Sequence, residues 1–343
     1  MLKFLFERRF LVVPIFFISI CFNSQIVAQG VAVTSEQKAD KKLVYIVSDT
    51  RIPFWRIMGK GIQSSAESLG YKLDILSANN DTKRELEHVV KSIQENVSGI
   101  IISPTTSSAS VMILKLAKRA NIPVVISDIG TDSGDYVSFI SSDNKQGAYS
   151  LGKILVKRLS QLGWEEGSVG VIAIPQKRAN GQARTSGFMQ ALNEAGVKAS
   201  SMLQQVTFSY QETYDFSTRL IHSDPNLRAI WLQGSDRYQA ALDAIDDSGM
   251  KHNILLISFD AEPIFLELIP REVLVGAAMQ QPYLMGQKAA RAMDDYLAGE
   301  EVVKNYKVPI LAISNKNIAQ QLDTIKKNVL GLDSRVLGDH VKN

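Results

Sequence analysis

The sequence predicts an α/β protein built as two doubly wound parallel-sheet lobes, and three observations carry that expectation. Runs rich in Ile and Val, such as Gly99–Ser103 and Ile122–Ser127, are apolar at nearly every residue, as strands covered on both faces are. Between these runs stand segments with apolar residues at helical spacing. The alternation proceeds from Leu43 to Ser127, pauses around Ser141-Ser142-Asp143-Asn144 and restarts with no long low-complexity linker. A chain of 343 residues has room for two such units.

Taken in order, Leu43–Ser48 reads as a buried strand and Phe54–Leu69 as a helix ended by Gly70. Tyr71–Ser77 is the next strand, with Leu73 and Ile75 alternating. Asp81–Gln94 reads as a helix with Asp81 or Thr82 as its cap and Leu86, Val89, Val90 and Ile93 on one face. Gly99–Ser103 is a strand, Ser107–Ala120 a helix, and Ile122–Ser127 a strand introduced by Asn121 and Pro123. In the second half a helix runs through Leu159, followed by strand Ser168–Ile174, a helix near Thr185–Ala195 and strand Ala199–Val206. Helix Tyr210–His222, strand Ala229–Gln233, helix Arg237–Ser248 and strand Ile254–Phe259 complete the pattern.

Composition excludes several classes. Hydrophobic residues make up 45% of the chain, ample for cores and too many for a disordered polymer. The 38 basic and 35 acidic residues leave a formal charge of +3, which gives no electrostatic footprint for nucleic acid. The four histidines (His88, His222, His252, His340) are scattered and Cys21 is the single cysteine, so neither a metal site, a disulfide nor a cofactor is expected. Lys3, Arg8 and Arg9, the apolar run Phe10–Phe22 and small Ala28 form the pattern of a secretory signal over residues 1–28. A membrane anchor needs about 20 apolar residues and this run is shorter. Lipid attachment at Cys21 wants a small preceding residue, and Ile20 is not small. The expectation is therefore an exported periplasmic protein, cleaved near Gln29, free of cysteine and not inserted in the membrane.

In open parallel sheets ligands bind beyond the carboxyl ends of the strands. Those ends are Asp49 to Trp55, Ser103-Pro104-Thr105, Asp128-Ile129, Ile174-Pro175 with the later Arg184, Phe208, Gly234-Ser235-Asp236 and Phe259-Asp260. Together with Pro123 to Asp128, Ile140 to Asn144, Arg184-Thr185-Ser186-Gly187-Phe188, Asp224-Pro225 and Gln280-Gln281-Pro282, they carry a resemblance. From about Leu43 to Ile310 the chain resembles the type I periplasmic solute-binding family, in particular its ribose-binding and autoinducer-2-binding members.

The resemblance implies a first lobe of residues 42–142 plus 281–309, a second of 143–280 plus 310–314, and three crossovers near Ser142, Gln280 and Pro309 acting as a hinge. It implies a monomer that closes over a small sugar or polyol and presents the closed form to a membrane permease, or to a sensor kinase or chemoreceptor. The matching ligand-contact positions are Phe54, Trp55, Ser103, Asp128, Arg184, Phe208, Ser235, Asp236, Asp260 and Gln280. Their chemistry suits a sugar: carboxylates accept from hydroxyls, Arg donates in a fork, and aromatic rings cover C–H faces. Other roles stand beside this one, with Asp128 and Asp260 as helix caps, Phe54 and Trp55 as core, and Arg184 as a surface ion-pair former. If the three charged groups line an open cleft, replacing them weakens binding and leaves folding stability nearly unchanged.

Departures bear on the ligand. Ile52, Ser103, Ile129 and Gly234 stand where the ribose binders carry longer polar side chains, and Gln280 stands where the autoinducer-2 receptor has Arg. Asp128 and Asp260, with Asp49 and Asp236 as further candidates, against one Arg suit a neutral polyol or an amino sugar better than an anion. No H-E-x-x-H, G-x-S-x-G or P-loop is present, so no catalytic residue is expected. A repressor with the same core would begin with a helix-turn-helix, whereas an export signal stands there. Over Asn315–Asn343, Ile318, Leu322, Ile325 and Val329 recur at near-helical spacing, forming a tail that packs along a lobe or docks a partner.

Overall fold

The computed structural model describes residues 41–332; the expected signal segment and residues 333–343 of the tail lie outside the described residues. The first sheet holds β1 (Lys42–Val47), β2 (Lys72–Ser77), β3 (Gly99–Ser103), β4 (Val124–Ser127) and β5 (Ser138–Ser142), with helices α1 (Pro53–Ser68), α2 (Thr82–Gln94) and α3 (Ser107–Arg119) between them. The second part runs α4 (Asn144–Gln161), β6 (Ser168–Ala173), α5 (Ala179–Glu194), β7 (Lys198–Gln204), α6 (Tyr210–Ser223), β8 (Leu227–Leu232) and α7 (Tyr238–Asp247). It continues with β9 (Leu255–Phe259), α8 (Phe265–Leu268) and β10 (Gly276–Met279). Then come α9 (Pro282–Leu297), β11 (Asn305–Val308), β12 (Leu311–Ser314), α10 (Ile318–Thr324) and a π-helical turn, Ile325–Val329.

The sheets have the strand orders β11-β5-β4-β3-β1-β2 and β12-β10-β9-β8-β6-β7. Every pairing is parallel except β10 with β12. Alternation along each strand feeds two separate cores. Leu43, Tyr45 and Val47 of β1 join Met58 and Ile62 of α1 and Met285 and Ala289 of α9. Val44 and Ile46 face the other way, onto Val89 of α2 and Ile113 and Leu114 of α3. In the second sheet Ala229 and Trp231 of β8 meet Leu151 of α4 and Phe188 of α5, while Ile230 and Leu232 meet Leu220 of α6 and Ile245 of α7. Apolar residues at every strand position are thus used up by helices on both faces.

Between the sheets the chain crosses at Ser142 to Asn144, at Met279 to Pro282 and at Val308 to Leu311. Gln281 marks the second crossing and donates its side-chain amide to the Pro309 carbonyl at the third, 2.8 Å away. In the described part of the tail, residues 318–329 are helical. Ile318, Ile325, Val329 and Leu330 are buried in the second lobe's core, and Gly331, at φ 61°, then lies against the first lobe. A Cβ there would fall 3.0 Å from Tyr283 and 3.2 Å from Ile57.

Helix α5 starts at Ala179, six residues ahead of the expected start at Thr185. Its first turn carries Asn180 and Gly181, poor helix formers with no apolar period, and Arg178 as an N-cap without a side-chain cap bond. The turn is held by its contacts across the cleft rather than by propensity. Asp81 is the cap of α2, accepting from the Lys83 and Arg84 amides at 2.8 and 3.1 Å.

Candidate functional site

The strand ends of the two lobes meet around one cavity. Nine of the ten residues singled out from the sequence line it: Phe54, Trp55, Asp128, Arg184, Phe208, Ser235, Asp236, Asp260 and Gln280. Ser103 does not. It is fully buried below the cavity floor, bonded to the Tyr45 and Ser127 hydroxyls at 2.9 Å each. Asp49 also lies aside, in a bidentate pair with Arg51, 2.6 Å at its shortest.

Asp128 and Asp260 occupy equivalent places in the two lobes and cap no helix. Each follows the strand whose end opens on the cleft, β4 or β9, and each has φ 66°. Each donates its amide to the next strand at 2.9 Å, Asp128 to Ile140 and Asp260 to Ala278. The left-handed backbone, which Asp tolerates better than most residues, turns both carboxylates inward. Burial pushes the Asp128 carboxyl up to about 6; Arg184 opposes this, Asp260 adds to it, and the Trp55 N–H and Arg178 oppose it. Asp260 is raised in the same way by burial, against Arg184 and Gln280.

Arg184 is 3% exposed and most of its donors are in use. Nε reaches Asn144 Oδ1 at 2.8 Å, and Nη1 reaches the Gln233 carbonyl at 2.6 Å and Asp260 Oδ2 at 3.4 Å. Its guanidinium lies 3.9 Å from the Phe259 ring centre. It is thus a buried tie among α5, α4, β8 and β9 that also shows a face to the cavity. The expectation of an open cleft with little stake in stability does not hold for this residue.

Sequence reasoning missed Arg178, Asn180, Gln233, Glu262 and Val329, all of which line the cavity. Two of them span the lobes. Arg178 donates to Asn80 Oδ1 at 3.2 Å, and Asn180 donates to Asp128 Oδ1 at 3.4 Å. The Arg178 guanidinium lies 5.7 Å from the Trp55 ring centre, on the first lobe, and 6.0 Å from that of Phe208, on the second. These contacts describe a closed arrangement. Phe208 has φ 54°, a strained value for a bulky residue. It is held by its amide bond to Glu212 at 2.8 Å and by Arg237 Nε on its carbonyl at 2.6 Å.

Trp55, expected at the ligand contact, lines the cavity and is enclosed in this closed arrangement. It is 5% exposed and donates Nε1–H to Asp128 Oδ2 at 3.1 Å. Trp231 is stacked on Phe188 with centroids 3.9 Å apart, and Trp164 lies near Arg228; neither lines the cavity. Opening and ligand entry change the surroundings of Trp55 alone among the three. A ligand titration is expected to shift tryptophan emission in the parent and to lose most of that shift in Trp55→Phe. A full shift in a Trp55→Phe variant that still binds contradicts this placement.

Behind the cleft, Glu85 is fully buried and accepts from Thr105 N at 2.7 Å and Thr105 Oγ1 at 3.0 Å, pinning the loop after β3. Burial pushes it up to about 7 against those two bonds and the charge of Arg178. Because this carboxyl lies above its ordinary value of 4.5 in the folded state, the folded form binds the extra proton. Its contribution to stability is present below about pH 4.5 and lost as pH rises through about 7. Urea unfolding of Glu85→Gln at pH 5 and pH 8 is expected to show a smaller decline in stability with pH than the parent. An identical decline contradicts the assignment.

Three comparisons with known proteins agree with this geometry. A family model described as a periplasmic binding protein domain matches residues 43–301. The ribose import binding protein of Haemophilus influenzae is 28% identical over 287 residues, covering 83% of this chain and 95% of that protein. The D-allose-binding periplasmic protein of Escherichia coli is 24% identical over 82% of this chain and 92% of its own. Among solved structures, a carbohydrate transporter solute binding protein from Agrobacterium radiobacter, in complex with D-arabinose, superposes with TM-score 0.77 at 22% identity. That match covers 85% of this chain and 99% of the other. Two parallel-dominated lobes, a cavity between their strand ends and a family model over most of the chain lead to one conclusion: this chain belongs to the periplasmic binding protein domain family, whose members here compared are solute-binding proteins rather than enzymes.

Proposed function

We propose that this protein is a periplasmic solute-binding protein that closes its two lobes over a small sugar or sugar-like polyol and presents the closed form to a membrane ABC transporter. The observation that carries the reading is the cavity itself. Asp128 from one lobe and Asp260 from the other converge with Arg184 and with the aromatic rings of Phe54, Trp55 and Phe208. Carboxylates and a guanidinium bind hydroxyls, and aromatic faces bind the C–H surface of a sugar ring. The relatives named for ribose and D-allose binding, and the similar structure in complex with D-arabinose, support the same class. Lobe closure turns about the crossings at 142–144, 279–282 and 308–311.

Residues 1–28 act as an export signal in this reading, and the working form is a soluble monomer beginning near Gln29. Among the described residues no helix is long and apolar enough to cross a membrane. N-terminal mass spectrometry of protein from a periplasmic extract tests the cleavage; an intact leader on membrane-bound protein contradicts it. The ligand class is tested by thermal unfolding of the secreted form against pentoses, hexoses and polyols. A ligand at 100 times its Kd adds about 2.7 kcal/mol, a clear rise in midpoint. Stabilisation by amino acids or anions, with none by sugars or polyols, overturns the reading.

A further inference from the structure

The second-lobe part of the cavity wall carries unpartnered acceptors. Gln280 is 1% exposed. Its amide nitrogen is committed to Asp260 at 2.5 Å, which fixes the orientation of the amide, and its Oε1 is buried on the cavity wall without a partner. Asp236 Oδ2 is also buried and accepts no hydrogen bond; Arg237 offsets its charge from 3.1 Å. Glu262 accepts from Ser235 at 2.8 Å through Oε1. The donors are partly committed, while Arg184 Nη2 and Arg178 Nε and Nη1 have no hydrogen-bond partner among the described residues. Arg184 spends Nε and Nη1 on Asn144, Gln233 and Asp260, Arg178 spends Nη2 on Asn80, and the Asn180 amide and Trp55 N–H go to Asp128.

Charge tells the same story. Asp128, Asp236, Asp260 and Glu262 face two guanidiniums, Arg178 and Arg184, around one cavity, with a third, Arg237, beside Asp236. Asp236 and Asp260 each disfavour the ionised form of Glu262, and Asp260 does the same to Asp236 and Asp128, so the negative charge is incompletely compensated by the protein. An anion would add to it. A hydroxyl both donates and accepts, whereas an ammonium group offers three donors and no acceptor. Only the second both serves these second-lobe acceptors and offsets the charge around them.

We infer that the cavity selects a sugar or polyol bearing a protonated primary amine, with the ammonium held by the second-lobe acceptors Gln280, Asp236, Asp260 and Glu262. This rests on the sugar-binding reading above and narrows it. The test is calorimetric titration of the full secreted chain at pH 7 with matched triplets. Glucose, galactose and mannose are each compared with the 2-amino-2-deoxy sugar and with its N-acetylated form. For any skeleton that binds, the amine is expected to bind at least about tenfold tighter than the neutral sugar, as one added charge-assisted hydrogen bond gives. N-acetylation, which keeps bulk and removes charge, erases the gain. Glu262→Gln and Asp236→Asn are expected to narrow the amine-to-neutral ratio. A neutral sugar that binds as tightly as its amine, or tighter, overturns the inference and leaves the sugar reading standing. No binding by any member of the triplets, with binding by solutes of another class, overturns both.

Discussion

Arg184→Ala is expected to lower folding stability by about 3–5 kcal/mol and to abolish measurable ligand binding. The size follows from what the side chain leaves behind. Its removal strips Asn144 Oδ1, the Gln233 carbonyl and Asp260 Oδ2 of their donor, and it does so at a position 3% exposed. Breaking a buried pair by deleting one partner costs more than the pair was worth, because the surviving charge stays buried. Lysine is no substitute, since an ammonium cannot serve Asn144 and Gln233 in a planar fork while lying on the Phe259 ring. Asp260 then has less reason to remain ionised, so one wall of the cavity changes its charge as well. Urea unfolding and calorimetric titration read the two effects separately. An unchanged unfolding midpoint contradicts the placement of Arg184 as a buried tie. A near-parental affinity contradicts its role at the cavity.

Gly187→Ala is expected to be almost as damaging, although it adds a single methyl group outside the cavity. A Cβ at this position would lie 2.0 Å from the Lys145 carbonyl oxygen of α4 and 2.9 Å from its carbon. Backbone atoms at that distance have no way to give except by moving the helices apart. Overpacking of a close-packed interior costs about 1–3 kcal/mol. The displaced helix is the one that carries Asn180 and Arg184, with Arg178 at its start, so ligand affinity falls together with stability. Ser186→Ala, on the exposed side of the same turn, is the control and leaves both nearly unchanged. The first lobe has the same device in reciprocal form. A Cβ on Gly61 of α1 meets the Tyr283 carbonyl of α9 at 2.1 Å, and one on Gly286 of α9 meets that of Met58 at 2.2 Å. If Gly187→Ala unfolds with the parent's midpoint, the contact between α4 and α5 is looser than described.

Much of the architecture was legible because buried parallel strands and amphipathic helices leave strong local patterns. Leu43–Ser48, Gly99–Ser103 and Ile254–Phe259 each announced a strand within one residue at either end. The late strands are different. β10 is Gly-Ala-Ala-Met, and β11 and β12 have four residues each; runs so short and so poor in branched residues carry no period, and only their pairing in the sheets defines them. The cavity was legible where a residue directly follows a strand, as Asp128 and Asp260 do, or stands in the loop just beyond one, as Asp236 does after β8. It was not legible at Arg178 and Asn180, whose turn of α5 lacks an apolar face. Val329 could not be placed either, because it reaches the cavity through the path of the tail, a non-local property. Ser103 shows the converse error. Its position at a strand end was read correctly, but its hydroxyl turns down into the Tyr45–Ser127 pair instead of up into the cavity.

Closure connects these parts to function. Two hydrogen bonds that join the lobes across the cleft, Arg178 to Asn80 and Asn180 to Asp128, are long at 3.2 and 3.4 Å, and bonds with one charged partner contribute about 1.5–3 kcal/mol each at good geometry and less at such lengths. They are too weak to hold the closed form alone. A ligand bonded to Asp128 on one side and to Asp260 and Arg184 on the other favours the closed form by every contact the open form lacks. Moving a 1:99 equilibrium to 99:1 needs about 5.5 kcal/mol of such preference, within reach of several charge-assisted bonds. Small-angle X-ray scattering of the secreted chain, free and saturated with a sugar shown by calorimetry to bind, tests this most directly. The account predicts that the sugar reduces the radius of gyration and brings the curve into agreement with the closed arrangement. A bound sugar that leaves the scattering unchanged from the free protein would contradict it.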